Sequence, residues 1–114
     1  MDIEKIQQIC LSLPAVTEDI KWDNDLVFSV GGKMFCVVAL DPPFSCSFKL
    51  PDELYEEMSI KEGFSPAPYL ARAKWVLVTR PAVLSLKEWE AYIQQSYELL
   101  RSRLTKKQRE SLGI

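Results

Sequence analysis

Two strand-like apolar runs, residues 26–30 and 33–39, flank a pair of glycines near the middle of the chain. A two-residue hairpin turn needs positive φ at its centre, and glycine adopts positive φ without strain. The pattern therefore predicts a β-hairpin that turns at Gly31 and Gly32. In this register Val30 faces Lys33, and the pairing continues without interruption to Leu26.

This register divides the hairpin between two faces, because directly opposed residues lie on the same side of a sheet. The bulkier, aromatic face is assigned to a core beneath helices, and it consists of Leu26, Phe28, Val30, Phe35, Val37 and Ala39. The milder face is expected to be partly solvated, and it consists of Val27, Ser29, Met34, Cys36 and Val38. A slip of one residue would exchange the two assignments.

Helical spacing of apolar positions marks both ends of the chain. Asp2 is a suitable cap for a first helix, which Pro14 ends. Two capping boxes, each a hydroxyl residue followed by an acceptor three positions later, predict further helices. They are formed by Ser85 with Glu88 and by Thr105 with Gln108.

The segments between these helices predict the remaining elements. Strands are expected near residues 17–22, 45–49 and 75–79, and a short helix is expected near residues 51–58. Ser65-Pro66-Ala67-Pro68 is typical of a helix start. Strands grouped between helices favour an α+β fold. We therefore expect a single domain over residues 1–114, with an antiparallel five-stranded sheet and helices packed on one face.

Charge is unevenly distributed although the net charge is only −2. Residues 1–60 carry eleven acidic and four basic residues, whereas residues 61–114 carry five acidic and ten basic residues. Five cations without an intervening acid occur near the C-terminus, at Arg101, Arg103, Lys106, Lys107 and Arg109. This asymmetry indicates a polyanionic partner at one end of the molecule. The alternative is a solvated helix end whose cations suit the helix dipole.

The chain contains no histidine, which removes Ser-His-Asp and Cys-His catalytic groups and most zinc and haem sites. We expect a non-enzymatic protein without a metal ion or a cofactor. Cys10, Cys36 and Cys46 are odd in number and lack CxxC spacing, which favours buried thiols in the cytoplasm. The longest apolar run, residues 34–40, is far shorter than a membrane span of about 20 residues.

Six short motifs occur in an order that resembles the MmcQ/YjbR family. They are Leu13-Pro14-Ala15-Val16 with Trp22, Val30-Gly31-Gly32-Lys33-Met34-Phe35, Phe48-Lys49, Pro66-Ala67-Pro68-Tyr69, Lys74-Trp75-Val76, and Ser96-Tyr97. The resemblance implies a small bacterial protein with a frataxin-like (CyaY-like) two-layer α+β fold. It also implies DNA binding through a double-wing arrangement, and it brings no catalytic residues.

The candidate nucleic-acid contacts are cations at predicted strand ends and near the C-terminus. They are Lys33, Lys49, Arg72, Lys74, Arg101, Arg103, Lys106, Lys107 and Arg109. Affinity for a duplex comes mainly from cations that displace counterions from phosphates, so an isoelectric point near 5.2 predicts weak, salt-sensitive binding through a local patch. Unrelated, solvated surface cations are the alternative.

Two other functions remain open at this stage. A protein–protein adaptor would use the exposed sheet face, with Met34, Val38 and Phe44 as contacts. A small-molecule or metal-handling protein would have a pocket lined by Trp75, Tyr69 and Lys49. The aromatic residues Trp22, Trp75, Tyr69 and Tyr97 are otherwise interpreted as packing residues.

Overall fold

The computed structural model describes residues 1–114 and contains four helices and six strands. The helices are α1 (Ile3–Leu11), α2 (Asp52–Met58), α3 (Leu86–Arg101) and α4 (Lys106–Leu112). The strands are β1 (Val16–Lys21), β2 (Asp25–Val30), β3 (Lys33–Ala39), β4 (Cys46–Lys49), β5 (Phe64–Pro66) and β6 (Trp75–Val78). Two short 3-10 turns are Ala71–Ala73 and Pro81–Val83.

Three helices begin at the caps that the sequence predicts. The Asp2 carboxylate accepts the backbone N–H three residues later at 2.8 Å. Ser85 and Glu88 exchange backbone-to-side-chain hydrogen bonds of 2.9 and 3.2 Å, and Thr105 and Gln108 do the same at 2.8 and 3.1 Å. The two predicted capping boxes are therefore confirmed. None of the four helices has the length and hydrophobicity that crossing a bilayer would require.

The strands form one antiparallel sheet in the order β1-β2-β3-β4-β6-β5. Helices α1 and α3 pack on one face and enclose a core of 21 buried residues. The predicted two-layer α+β class is confirmed, but the predicted count of five strands is wrong. Strand β5 occupies the segment where a helix start was expected. Its proline is tolerated there because an edge strand has one side without ladder hydrogen bonds.

The hairpin turns at the predicted glycines, whose φ values are +57° and +78°. Val30 pairs with Lys33 and Ser29 pairs with Met34, as predicted. Beyond that point the register shifts, and Phe28 pairs with Cys36. Phe35 is the extra residue of this β-bulge, and an extra residue bends a strand and re-aims the side chains beyond it.

The bulge overturns the predicted division of β3 between the two faces. Phe35 and Cys36 are both fully buried, and Val38 joins them in the core. Val37 and Ala39, which were assigned to the core, lie instead on the opposite, open face of the sheet. Since side chains alternate along a strand, one inserted residue moves every later side chain to the other face.

Ser96 of α3 holds the sheet together at the bulge. Its hydroxyl donates to the carbonyl of Phe35 at 2.6 Å and accepts the backbone N–H of Lys49 at 2.9 Å. The regular pairing of β3 with β4 ends at Cys36 and Phe48, so the adjacent residues Phe35 and Lys49 are not paired in the ladder. The Ser96 hydroxyl thus replaces a ladder hydrogen bond at a fully buried position.

Aromatic side chains of α3 also hold this helix in place through hydrogen bonds and ring contacts. The Tyr97 hydroxyl donates to the carbonyl of Pro14 at 2.7 Å, and the Trp89 indole donates to the carbonyl of Pro81 at 3.0 Å. The rings of Phe35 and Tyr97 meet edge to face with centroids 5.4 Å apart. The interpretation of Tyr97 as a structural residue is confirmed.

We expect Ser96→Ala to lower the free energy of unfolding by about 2–6 kcal/mol. The substitution leaves a buried carbonyl and a buried N–H without partners, and each such group costs about 1–3 kcal/mol. Urea denaturation followed by tryptophan fluorescence measures the change.

The matched control is Ser102→Ala, since the Ser102 hydroxyl donates to the Leu99 carbonyl at an exposed position. Its effect should stay within about 0.5 kcal/mol. Equal costs for the two substitutions would contradict the assigned role of Ser96.

Candidate functional site

Three of the predicted lysines lie at one end of the sheet. Lys33 begins β3 next to the hairpin turn, Lys49 ends β4, and Lys74 immediately precedes β6. Lys49 pairs with Trp75 across the β4–β6 ladder, and β3 runs antiparallel to β4. The topology therefore places the strand starts and strand ends that carry these lysines side by side.

The hairpin turn also receives the chain segment that follows α3. A Cβ atom added to Gly31 would lie 2.6 Å from Cδ2 of Leu104, so the buried Leu104 side chain rests directly on the turn. This contact brings Arg103 to the same end of the sheet. We name Lys33, Lys49, Lys74 and Arg103 the strand-end cluster.

Three members of the cluster, Lys49, Lys74 and Arg103, lie close enough for their charges to interact. Burial lowers the pKa of Lys49, and the positive charges of Arg103 and Lys74 lower it further. The Asp52 carboxylate, in the first turn of α2, acts in the opposite sense. The cluster is therefore a positive region that one adjacent acid partly offsets.

Members of the cluster differ in what they can contact. Lys49 is only 5% exposed, and its ammonium donates to the carbonyl of Ala73. The Lys74 ammonium lies 5.1 Å from the ring centroid of Tyr55. Arg103 is exposed and belongs to none of the four ion pairs in the structure. Lys49 thus contributes charge to the surface, whereas Arg103 is free to meet a ligand.

Three of the five C-terminal cations already have partners. Arg101 lies 3.8 Å from Glu98, and Lys106 lies 3.9 Å from Glu110. The third, Arg109, donates from Nη1 to the Leu104 carbonyl at 2.7 Å. The acids that partner Arg101 and Lys106 flank the basic stretch in sequence.

Two further candidate cations are free of ion pairs. Arg72 is exposed in the 3-10 turn that leads to Lys74, and Lys107 is exposed in the first turn of α4. Neither forms an ion pair. Like the members of the strand-end cluster, they belong to no ion pair with an acidic side chain.

A second feature is a cleft of about 660 Å³ on the open face of the sheet. Its floor is a row across three strands, in which Ser47 pairs with Val37 on one side and with Leu77 on the other. The segment of residues 67–70 lines it after β5, and Trp22, in the turn between β1 and β2, lines it too. Asp25 is the one acidic or basic residue among the twelve that line the cleft.

The aromatic residues of the cleft are exposed, which differs from the packing role predicted for them. Trp22 is 62% exposed and Tyr69 is fully exposed. Both have backbones in the left-handed region, with φ of +49° and +66°. By contrast, Trp75 is 3% exposed, so its packing role is confirmed.

The contact sets predicted for the two alternative functions are wrong in most members. Trp75 and Lys49 are buried, so of the predicted pocket residues only Tyr69 lines a cleft. For the adaptor, Val38 lies in the core and Phe44 packs edge to face against Trp89. Of the predicted contacts, only Met34 lies on the open face. The bulge at Phe35 turns Val38 into the core and places Val37 on the open face instead.

Comparison with known proteins agrees with this fold. A sequence model of the YjbR family matches residues 11–99, which is more than half of the chain. The chain belongs to the YjbR family. A YjbR-family assignment was expected from the order of the short motifs, and it is confirmed.

A solved structure also resembles this YjbR-family protein. It is a protein from Pseudomonas syringae whose crystal structure was determined by the Northeast Structural Genomics Consortium. It is 19% identical, covers 89% of this chain and 100% of its own, and superposes with a TM-score of 0.73. At this identity the likeness concerns the fold alone. None of the curated proteins compared with the chain matches it.

The sequence of this YjbR-family protein predicts little of the cleft. The alternation of serines with Cys46 and Phe48 in residues 45–48 marks one open face of β4. Nothing in the sequence indicates that residues 67–70 lie beside that face. In the sequence, Asp25 is typical of a turn, and only the assembled sheet places it in the lining of the cleft.

The three cysteines of the YjbR-family chain meet in the core. Cys36 and Cys46 sulfurs lie 3.6 Å apart, and Cys10, from α1, joins Cys36. Burial raises the pKa of Cys10, and a hydrogen bond with Cys36 together with burial raises the pKa of Cys46. Hydrogen bonds lower the pKa of Cys36 whereas burial raises it. An unpaired charge is costly in an apolar core, so we treat all three thiols as neutral.

We expect alkaline pH to destabilise the protein through these thiols. A group whose pKa is raised by folding stabilises the native state below its unfolded pKa, here 9.0, and this contribution is lost as pH rises. Between about pH 8 and pH 10 the free energy of unfolding should fall by about 1.4 kcal/mol for each such thiol. Urea denaturation under reducing conditions measures the slope.

The variant that isolates this effect is Cys10→Ala with Cys46→Ala. It should be less stable at neutral pH, because two buried side chains are truncated, but its stability should fall less steeply above pH 9. An unchanged alkaline slope would show that the thiols are not its source.

Proposed function

We propose that this YjbR-family protein is a non-enzymatic module that binds nucleic acid through the strand-end cluster, with Arg72 and Lys107 as further contacts. The observation that carries the proposal is the contact of Leu104 with the hairpin turn. That contact joins cations that are far apart in sequence into one region.

The arrangement of these cations suits contacts with the phosphate backbone rather than sequence-specific contacts with bases. Arg103, Arg72 and Lys107 are exposed and free of ion pairs, so their charges can meet phosphates without first breaking an internal contact. Buried Lys49 adds positive potential without itself reaching a ligand. Backbone contacts of this kind position a protein on nucleic acid but carry no sequence information.

The charges also limit the strength of the interaction. The chain has a net charge of −2, and Asp52 borders the cluster. Arg101, Lys106 and Arg109 remain part of the proposed surface, but each would have to share its charge with an existing partner. Binding is therefore expected to be weak and strongly dependent on salt.

We expect Lys33→Ala with Arg103→Ala to weaken binding to every duplex and single-stranded sequence alike. The slope of log affinity against log salt should become shallower by about 2, because each lost phosphate contact contributes about 1. Fluorescence anisotropy with labelled DNA, between about 50 and 200 mM salt, measures both quantities.

The matched control is Arg101→Ala with Lys106→Ala, which removes the same charge from cations that are already paired. It should weaken binding less than the cluster variant does. Equal effects would mean that net charge alone governs binding. Absence of any binding at about 50 mM salt would refute the function itself.

A further inference from the structure

We propose that the open-face cleft is a binding site for a small organic cation, a protonated amine carried on an apolar body. The inference does not rest on nucleic-acid binding, because the cleft and the strand-end cluster share no residue.

The size and walls of the cleft suit a small molecule. Its volume of about 660 Å³ lies within the range of about 300–1,000 Å³ that is typical of ligand sites. Eight of its twelve lining residues are hydrophobic, among them Met34, Val37 and Leu77. An apolar ligand body would cover side chains that now contact water, and burial of apolar surface favours binding.

Asp25 gives the cleft its preference for a positive charge. Its half-buried carboxylate is the single formal charge in the lining, and it belongs to none of the ion pairs. Lys21 lies opposite Asp25 across the β1–β2 pair, but its ammonium nitrogen is more than 4.0 Å from the carboxylate oxygens. The Asp25 carboxylate can therefore still accept a hydrogen bond from the ammonium group of a ligand. Ser45 and Ser47 supply neutral hydrogen-bonding groups in the same lining.

Trp22 and Tyr69 supply the second element of cation recognition. Both rings are exposed, and they line the same cleft from segments that follow the two edge strands, Trp22 after β1 and Tyr69 after β5. An ammonium group over the face of an aromatic ring is attracted by the ring quadrupole. Holding two such rings on left-handed backbones is costly for residues other than glycine, and such backbones cluster at binding sites.

The surrounding charge supports the same class of ligand. Asp23 and Asp41 flank the strand ends at which Asp25 lies, and the Asn24 amide donates to the Asp41 carboxylate. The strand-end cluster is at the other end of these strands. The end of the cleft at which Asp25 lies is therefore the end that favours a cation.

Three ligands that share one ring and differ in charge test the proposal. They are 2-phenylethylamine as the cation, 2-phenylethanol as the neutral analogue and 3-phenylpropionate as the anion. Titration into the isotope-labelled protein of residues 1–114, followed by backbone amide NMR shifts, gives both the affinity and the place of binding. We expect saturable shifts at the cleft, with the amine bound about tenfold more tightly than the alcohol and no saturation by the anion.

Substitutions separate the charge from the aromatic contribution. Asp25→Asn should weaken the amine about tenfold and leave the alcohol unchanged, whereas Tyr69→Ala should weaken both. The matched control is Asp52→Asn, which removes the same charge from the exposed start of α2, outside the cleft. It should change neither affinity. The amide spectrum of each variant confirms that the fold is intact.

Several outcomes would overturn the proposal. They are equal affinities for the amine and the alcohol, an equal effect of Asp25→Asn and Asp52→Asn, and shifts that map outside the cleft. Failure of all three ligands to saturate the cleft in the millimolar range would overturn it as well. None of these results bears on nucleic-acid binding, so the two proposals can fail separately.

Discussion

The bulge at Phe35 and the Ser96 hydroxyl that satisfies it are the constraint on which both faces of the sheet depend. An extra residue in β3 leaves a carbonyl out of the regular ladder, and a buried carbonyl without a partner would destabilise the fold. Ser96 accepts the N–H of Lys49 with the same oxygen that donates to Phe35. One side chain of α3 thereby ties the bulged strand to its neighbour.

Consequences of this constraint reach both candidate sites. On the core face, the bulge adds Cys36 and Val38 to the packing beneath α1 and α3. On the open face, it places Val37 and Ala39 in the lining of the cleft. At the basic end, the same hydroxyl holds the last residue of β4, Lys49, whose charge belongs to the strand-end cluster. A change at the bulge would therefore alter the cleft and the basic end together.

The two ends of the sheet differ in charge. Since the strands run antiparallel, alternate turns lie at opposite ends, and these turns carry different charged residues. Turns that join β1 to β2 and β3 to β4 carry Asp23 and Asp41, while the hairpin turn and the start of β6 carry Lys33 and Lys74. These acids and lysines are thus a strand length apart, although Lys21 lies opposite Asp25 at one end and Asp52 borders Lys49 at the other. The two proposals rest on this separation, with phosphate assigned to the lysine-bearing end and an amine to the end at which Asp25 lies.

Local patterns in the sequence determined the helix caps and the glycine turn, since each of these depends on residues within a few positions of one another. The two-layer class and the family followed from the order of such patterns along the chain. The uneven distribution of charge likewise predicted a basic end of the molecule. It did not indicate that Arg101, Lys106 and Arg109 of this stretch are already paired. Only the tertiary structure decided the bulge, because a single inserted residue at Phe35 leaves no mark on an apolar run. It also decided that Leu104 lies on the hairpin turn and that Tyr69 and Val37 line the same cleft. Such long-range contacts arise from how helices and strands pack, and the spacing of residues along the chain does not specify them.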